Sequence, residues 1–152
     1  MSLSTTRLLR FYLMFGRLYT SMFTTLLERY RMTQTEVDVL LFLANNPPLD
    51  TAKDIVLYRG IVKSQVSTAV EALVRKGYLT RAADPQDRRL VHLAASDTAE
   101  PIVRQAKQAQ SRFARVLLDG LGEEQLEQLQ AILHTVTQNM RNAAGKEDES
   151  TL

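Results

Sequence analysis

Six residues near the middle of the chain, Asp84-Pro85-Gln86-Asp87-Arg88-Arg89, most narrowly limit its fold. They form a short loop that begins acidic and ends in two adjacent arginines. Tyr78-Leu79-Thr80-Arg81 before it reads as one strand and Leu90 to Ala95 after it as a second. In that second strand Val91, Leu93 and Ala95 alternate inward, while Leu90, His92 and Ala94 face the other way. A helix from Lys63 to Lys76 comes first. A helix, a hairpin and an arginine-bearing tip in that order make a winged helix-turn-helix, which puts a helix in one DNA groove and arginines in the next.

The helix has two unlike faces. At about 100° per residue, Val66, Ala69, Val70 and Leu73 share one arc, and Ser64, Ser67, Thr68, Glu71 and Arg75 share the opposite one. Small hydroxyl residues on an exposed helix face lower helix propensity and gain nothing in water, but they let a helix approach DNA closely. The sequence thus nominates Ser64, Gln65, Ser67 and Thr68 for the bases, and Lys63 and Arg75 for phosphates. In the wing, one of Arg88 and Arg89 is expected in a minor groove while Asp87 orients the other. The segment from Arg59 to Arg89 holds seven basic residues against three acidic ones, whereas the whole chain is only +2. Positive charge concentrated on one face suits phosphate binding, although a merely solvated basic face has the same composition.

The remaining elements are helical. The apolar stretch from about Arg7 to Arg29 reads as one long helix, hydrophobic on several sides and so buried against more than one neighbour. Thr33-Gln34-Thr35-Glu36 reads as a capping box, with Val37, Leu40, Leu41 and Ala44 as the inward face that follows. Asp50 is expected to cap a short helix from Thr51 to about Leu57, and Gly60 to supply positive φ in the turn after it. Toward the C-terminus, Ile102, Ala106, Ala109, Phe113 and Val116, and then Leu126, Leu129, Leu133, Val136 and Met140, repeat at heptad-like spacing. Two such helices suit a dimer interface shared with the first helix, or packing within one chain. The stretch from Asn142 is polar, lacks periodicity and is expected to be mobile. The expected organisation is residues 1–30 as an N-terminal dimerisation helix, 31–95 as the DNA-binding domain, 96–141 as C-terminal dimerisation helices, and 142–152 as a disordered tail.

Several chemistries have no support in the residues. With no cysteine, disulfides, thiolate metal sites and thiol redox sensing are excluded, and only His92 and His134 are available as imidazoles. Neither a Ser-His-Asp nor a Cys-His pairing is evident, nor a glycine-rich phosphate loop, so no enzyme, metal or cofactor is expected. Asp84 and Asp87 lie beside arginines expected to keep them ionised, a poor setting for acid-base work. Nothing at the N-terminus resembles a signal peptide, and Arg10 and Arg17 interrupt the apolar run Leu8–Leu27, so a cytoplasmic setting without a membrane span is expected.

These motifs together resemble the MarR (multiple antibiotic resistance regulator) family. Met32-Thr33-Gln34-Thr35-Glu36, the run Val66-Ser67-Thr68-Ala69-Val70-Glu71-Ala72-Leu73 with Lys76-Gly77-Tyr78-Leu79, and the wing Asp84 to Arg89 carry the likeness, which extends from about Arg7 to Met140. The resemblance implies a mainly α fold with a small β-hairpin wing, flanked by N- and C-terminal dimerisation helices. It further implies an obligate homodimer that binds double-stranded DNA at pseudo-palindromic operators, usually as a repressor, and favours Arg88 as the inserted wing residue. Members usually cap the recognition helix with Ser or Thr, where this chain has Val62. Family members are often released by a small aromatic or phenolic ligand. Tyr12, Phe15, Tyr19, Phe42 and Phe113 are the candidates to line such a site, with Arg17 meeting a carboxylate; alternatively these aromatics fill the core. A winged helix used only for protein-protein contact is the competing function.

Overall fold

The apolar N-terminal stretch, expected as one helix over Arg7–Arg29, forms two in the computed structural model, which describes residues 3–149. The first, α1, spans Thr5–Ser21, and the second, α2, spans Thr24–Tyr30. Around the break the hydroxyls of Thr20, Ser21 and Thr24 donate to carbonyls three or four residues earlier, at 2.7–3.3 Å. Such back-bonding bends helices. The break turns Phe23 fully inward. Burial on several sides is therefore met by Phe23 and Leu26, whereas α1 has no buried residue and leaves Leu8, Leu9, Phe11, Tyr12, Leu13 and Met14 exposed within the chain.

Arg31, in the left-handed region at φ 50°, ends α2, and α3 follows at Gln34–Asn45. The capping box expected there is half made. The Thr33 hydroxyl accepts the Glu36 amide at 3.2 Å, but the Glu36 carboxylate turns to Lys76 Nζ at 2.6 Å. A complete box occurs one helix later. In α4, Ala52–Asp54, the Thr51 hydroxyl accepts the Asp54 amide at 3.1 Å and Asp54 Oδ2 accepts the Thr51 amide at 3.0 Å. Thr51 is the cap and Asp50 is not, because the Asp50 side chain is engaged elsewhere. A π-helical turn, Ile55–Arg59, extends α4 and closes at Gly60 with φ 72°, as its position in the sequence predicts.

The next helix, α5, spans Lys63–Arg75 and starts after Val62, which makes no side-chain cap. The wing strands, β1 at Leu79–Ala83 and β2 at Val91–Ala95, pair antiparallel from Leu79↔Ala95 to Ala83↔Val91. Leu79 and Leu93 are buried, but Val91 and Ala95, expected inward, stay exposed. A two-stranded ribbon buries only what its neighbours cover. A 3-10 turn at Asp97–Ala99 leads into α6, Glu100–Leu117. At that corner the hydroxyls of Ser96 and Thr98 both donate to the carbonyl of Gly77, at 2.5 and 2.7 Å.

Phe23, Leu40, Ile55, Leu73 and Ile102 are fully buried, so α2, α3, the α4 extension, α5 and α6 share one core. This compact unit runs to Phe113; a second begins at Ala114 and contains α7, Glu123–Glu149. None of the α7 residues up to 143 is buried, and Ile132, Leu133, Val136 and Met140 are largely exposed. The helix continues through 142–149, where composition suggested a mobile tail; Ala143, Ala144, Lys146 and Glu147 have high helix propensity. The tail residues 150–152 lie outside the described residues. Among those described, no helix is long and apolar enough to cross a membrane.

Candidate nucleic-acid interface

The α5 helix is held from behind by apolar packing. Val66, Ala69, Val70, Ala72 and Leu73 are buried, with Val66 and Leu73 almost wholly removed from water. That fixes which face looks out. Lys63, Ser64, Gln65, Ser67, Thr68 and Arg75 are all exposed, so none of the six helix residues singled out from sequence is taken up by the core. Their chemistry is not uniform. The Thr68 hydroxyl donates to the Ser64 carbonyl at 2.9 Å, which leaves its oxygen as an acceptor and its methyl as an apolar contact. Lys63 and Ser67 edge a cavity of about 560 Å³ with Arg81, walled by Val56, Val66 and Leu93. Ser64, Gln65 and Thr68 edge a shallower one of about 300 Å³ with Thr33 and Thr35. Arg75 lies about 18 Å further along the axis than Lys63, at 1.5 Å per residue.

The other end of α5 is pinned by charge. Lys76 Nζ donates to Glu36 Oε2 at 2.6 Å and to the Arg31 carbonyl at 2.9 Å, joining the end of α5 to the start of α3.

At the wing tip the backbone is wired by carboxylates. Asp84 Oδ1 accepts the amides of Gln86 and Asp87, at 2.8 and 2.9 Å, and Asp87 Oδ1 accepts the Arg89 amide at 2.9 Å. Asp87, expected to orient an arginine side chain, thus holds arginine backbone instead. Neither the Arg88 nor the Arg89 guanidinium forms an ion pair among the described residues, and both are exposed. The partner that keeps Asp84 ionised is a histidine and not a neighbouring arginine. His92 Nε2 lies 2.9 Å from Asp84 Oδ2, and Nδ1 lies 2.8 Å from Asp50 Oδ1. Asp84 is held below its ordinary value of 3.8, first by the His92 hydrogen bond and then by the two amides. His92 is raised above 6.5 by Asp84 and then Asp50.

Of the aromatic candidates, three come together. Phe113 meets Phe15 and Tyr19 edge to face, with ring centres 4.9 and 5.2 Å apart. Phe42 is buried in the core, while Tyr12 and Arg17 are exposed. The cation beside Tyr19 is Arg59, 5.8 Å from the ring centre and paired with Asp38 at 3.2 Å. Burial pushes Asp38 up despite Arg59, and pushes Tyr19 up against a hydrogen bond from Gln110. Sequence reading missed Asp38, Arg59, Asp50 and His92. Only His92 had a visible signal, since a hairpin closed at residues 84 and 90 brings residue 92 diagonally across from 84.

The MarR family model matches residues 32–90, the segment from the start of α3 to the wing tip. That segment is similar to the MarR family's winged helix. Solved structures share the fold well beyond that segment. A MarR protein from Peptoclostridium difficile has a TM-score of 0.78 at 17% identity, covering 93% of this chain and 94% of that one. MepR of S. aureus, in a complex with DNA, gives 0.73 at 22% identity, covering 91% and 99%. BpsR of Bordetella bronchiseptica, whose DNA binding is regulated by 6-hydroxynicotinic acid, gives 0.69 at 17% identity, covering 86% and 98%. At such identities the likeness is one of fold, and that fold is the one of MarR-family DNA-binding transcriptional regulators.

Proposed function

We propose that this chain is a sequence-specific regulator of transcription that binds double-stranded DNA as a homodimer, most simply as a repressor on pseudo-palindromic operators. The observation that carries the reading is the pairing of an outward polar face on α5 with two wing arginines that have no ion-pair partner among the described residues. Ser64, Gln65, Ser67 and Thr68 read bases in the major groove, Lys63 and Arg75 hold phosphates, and Arg88 enters the minor groove with Arg89 beside it. Residues 31–95 bind DNA, and residues 1–30 and 96–141 dimerise. The apolar side chains left exposed on α1 and on α7 support this, since faces of that size in one chain call for a partner. Two copies related by a twofold axis present their α5 helices to half-sites about one helical turn apart.

Mobility shift on the DNA immediately upstream of the chain's own gene tests the reading directly. Lys63→Ala is expected to weaken binding to all sequences and to reduce the salt slope by about one. Gln65→Ala is expected to change which operator variants bind. An Arg88→Ala/Arg89→Ala protein with parental affinity refutes the role of the wing. For release, we propose a small aromatic acid at the Phe15, Tyr19 and Phe113 cluster, with Tyr12, Arg17 and Phe42 as further candidates. Such a ligand weakens DNA binding only by favouring a dimer with differently spaced α5 helices. Thermal stabilisation by aromatic acids that survives both Tyr19→Ala and Arg17→Ala would put the pocket elsewhere.

A further inference from the structure

His92 occupies an unusual position for a strand residue. It lies on β2 directly opposite Ala82, so the groups it meets come from beyond its own pair. Asp84 lies two residues past Ala82 on the same face, in the wing turn. Asp50 comes from the loop between α3 and α4, whose backbone is tied to β2 as well, the Leu93 amide donating to the Asp50 carbonyl at 2.8 Å. The imidazole therefore joins the turn of the hairpin to the loop between α3 and α4, with contacts of 2.8 and 2.9 Å.

We propose that His92, as an imidazolium, is the positioning residue of the wing: it clasps Asp84 to Asp50 and thereby holds the turn that presents Arg88 and Arg89 to DNA. The inference rests on the wing arginines meeting DNA, as proposed above. The chemistry requires the charged form. A neutral imidazole has one N–H and one lone pair, so between two carboxylates one contact would set a lone pair against an anion. Only the imidazolium donates to both. From there the path to the arginines is short. His92 fixes Asp84 Oδ2, Asp84 Oδ1 gathers the Gln86 and Asp87 amides, and Asp87 in turn receives the Arg89 amide. Asp50 and Asp84 are the charged groups that face the ring, β1 offers only Ala82, and no arginine or lysine pairs with either carboxylate among the described residues.

The sign of the pH effect follows. With His92 raised above 6.5, the clasp is complete below that value and lost as pH rises through the elevated one. With Asp84 held below 3.8, its contact to the ring is lost only as pH falls through that lowered value. Wing presentation is therefore strongest in mildly acidic to neutral solution and declines under mild alkali, when the proton leaves His92 for water.

The test uses the full-length protein and the tightest duplex it retains from a randomised DNA pool, with fluorescence anisotropy from about pH 6 to about pH 8.5, the range over which an elevated histidine titrates. The parent is expected to lose roughly tenfold in affinity across that range, the scale of one good arginine contact. His92→Leu should be weak and flat throughout. Asp50→Asn keeps an acceptor but withdraws a charge, so its binding midpoint should move to lower pH, a change that a purely structural role would not produce. NMR of the His92 ring should give a midpoint above 6.5 in the parent, and a lower one in Asp50→Asn. Equal pH dependence in the parent and His92→Leu, or a His92 midpoint at or below its ordinary value, overturns the clasp and leaves the wing reading intact. An Arg88→Ala/Arg89→Ala protein that binds like the parent refutes the wing reading, and the role of the clasp in binding with it, even where His92 titrates high.

Discussion

Replacing Lys76 with Met is expected to destabilise the native state by about 2 kcal/mol, and the structure sets that figure between two limits. Breaking a fully buried ion pair costs about 3–5 kcal/mol because a charge is left without a partner. Losing an exposed pair costs about 0–1 kcal/mol. Here the Glu36 side chain is 7% exposed and that of Lys76 is 30% exposed, so the carboxylate is buried while water can reach the place the ammonium leaves. Glu36 also lies in the first turn of α3, where the helix dipole favours an anion by about 0.3–1 kcal/mol. Against that, Lys76 also serves the Arg31 carbonyl, in a left-handed residue, and that bond is lost too. Met keeps the length and apolar stem, so the effect reports on charge and hydrogen bonding. Urea unfolding at fixed protein concentration measures it, and thermal unfolding should show a fall in Tm of about 6 °C. The double variant Glu36→Gln/Lys76→Met should recover more than half of the loss, since it removes both members. A Lys76→Met protein within about 0.5 kcal/mol of the parent, or a double variant equal to the sum of the singles, would refute the argument that a buried carboxylate is being neutralised.

Three further outcomes follow from other parts of the chain. Asp38 has its folded pKa raised above 3.8 by burial, so its ionisation opposes folding as pH rises through the folded value. Asp38→Asn, which keeps an acceptor for Gln34 and Arg59, should therefore gain up to about 1 kcal/mol over the parent near neutrality, with the difference vanishing in acid; denaturant midpoints at two pH values check the sign. Gly60→Ala should lose about 1 kcal/mol through the backbone alone, because φ is +72° and an added Cβ meets nothing within 4 Å, and calorimetry resolves this. Phe23→Ala, at a fully buried ring between α1 and α2, should lose about 4 kcal/mol by urea unfolding, far more than the exposed Phe11→Ala.

What could be read from the sequence was whatever depends on local pattern. The alternation of buried and polar positions in α5 is a one-helix property, and the side of Val66, Ala69, Val70 and Leu73 follows from 3.6-residue geometry. The left-handed Gly60 and the wing turn likewise answer to neighbours in the chain. Two of the misreadings are long-range. Glu36 abandons its capping box for Lys76, forty residues away, and Asp50 leaves the helix it precedes because His92 claims it. The break at Met22-Phe23 was hidden because hydrophobic spacing continues through it, whereas hydroxyl back-bonding and the burial of Phe23 decide it. Among the candidate site residues, Ser64, Ser67, Thr68 and Arg75 share one exposed face of α5 by helical period. The aromatic set depended on tertiary placement, which is why Arg59 and not Arg17 stands beside Tyr19.

The carbonyl of Gly77 receives two hydroxyls, from Ser96 and Thr98, just past the end of α5 and just before α6. One oxygen atom is thus the pivot on which two levers turn. A torque applied to the near end of α6 is not absorbed by a slack connection, because the 3-10 turn is short and the hydroxyls of Ser96 before it and Thr98 within it are committed to the same point. Any twist of α6 must either carry the tail of α5 with it or detach both hydroxyls at once. The linkage is therefore stiff for small displacements and yields abruptly for large ones, so the corner behaves as a latch more than as a spring.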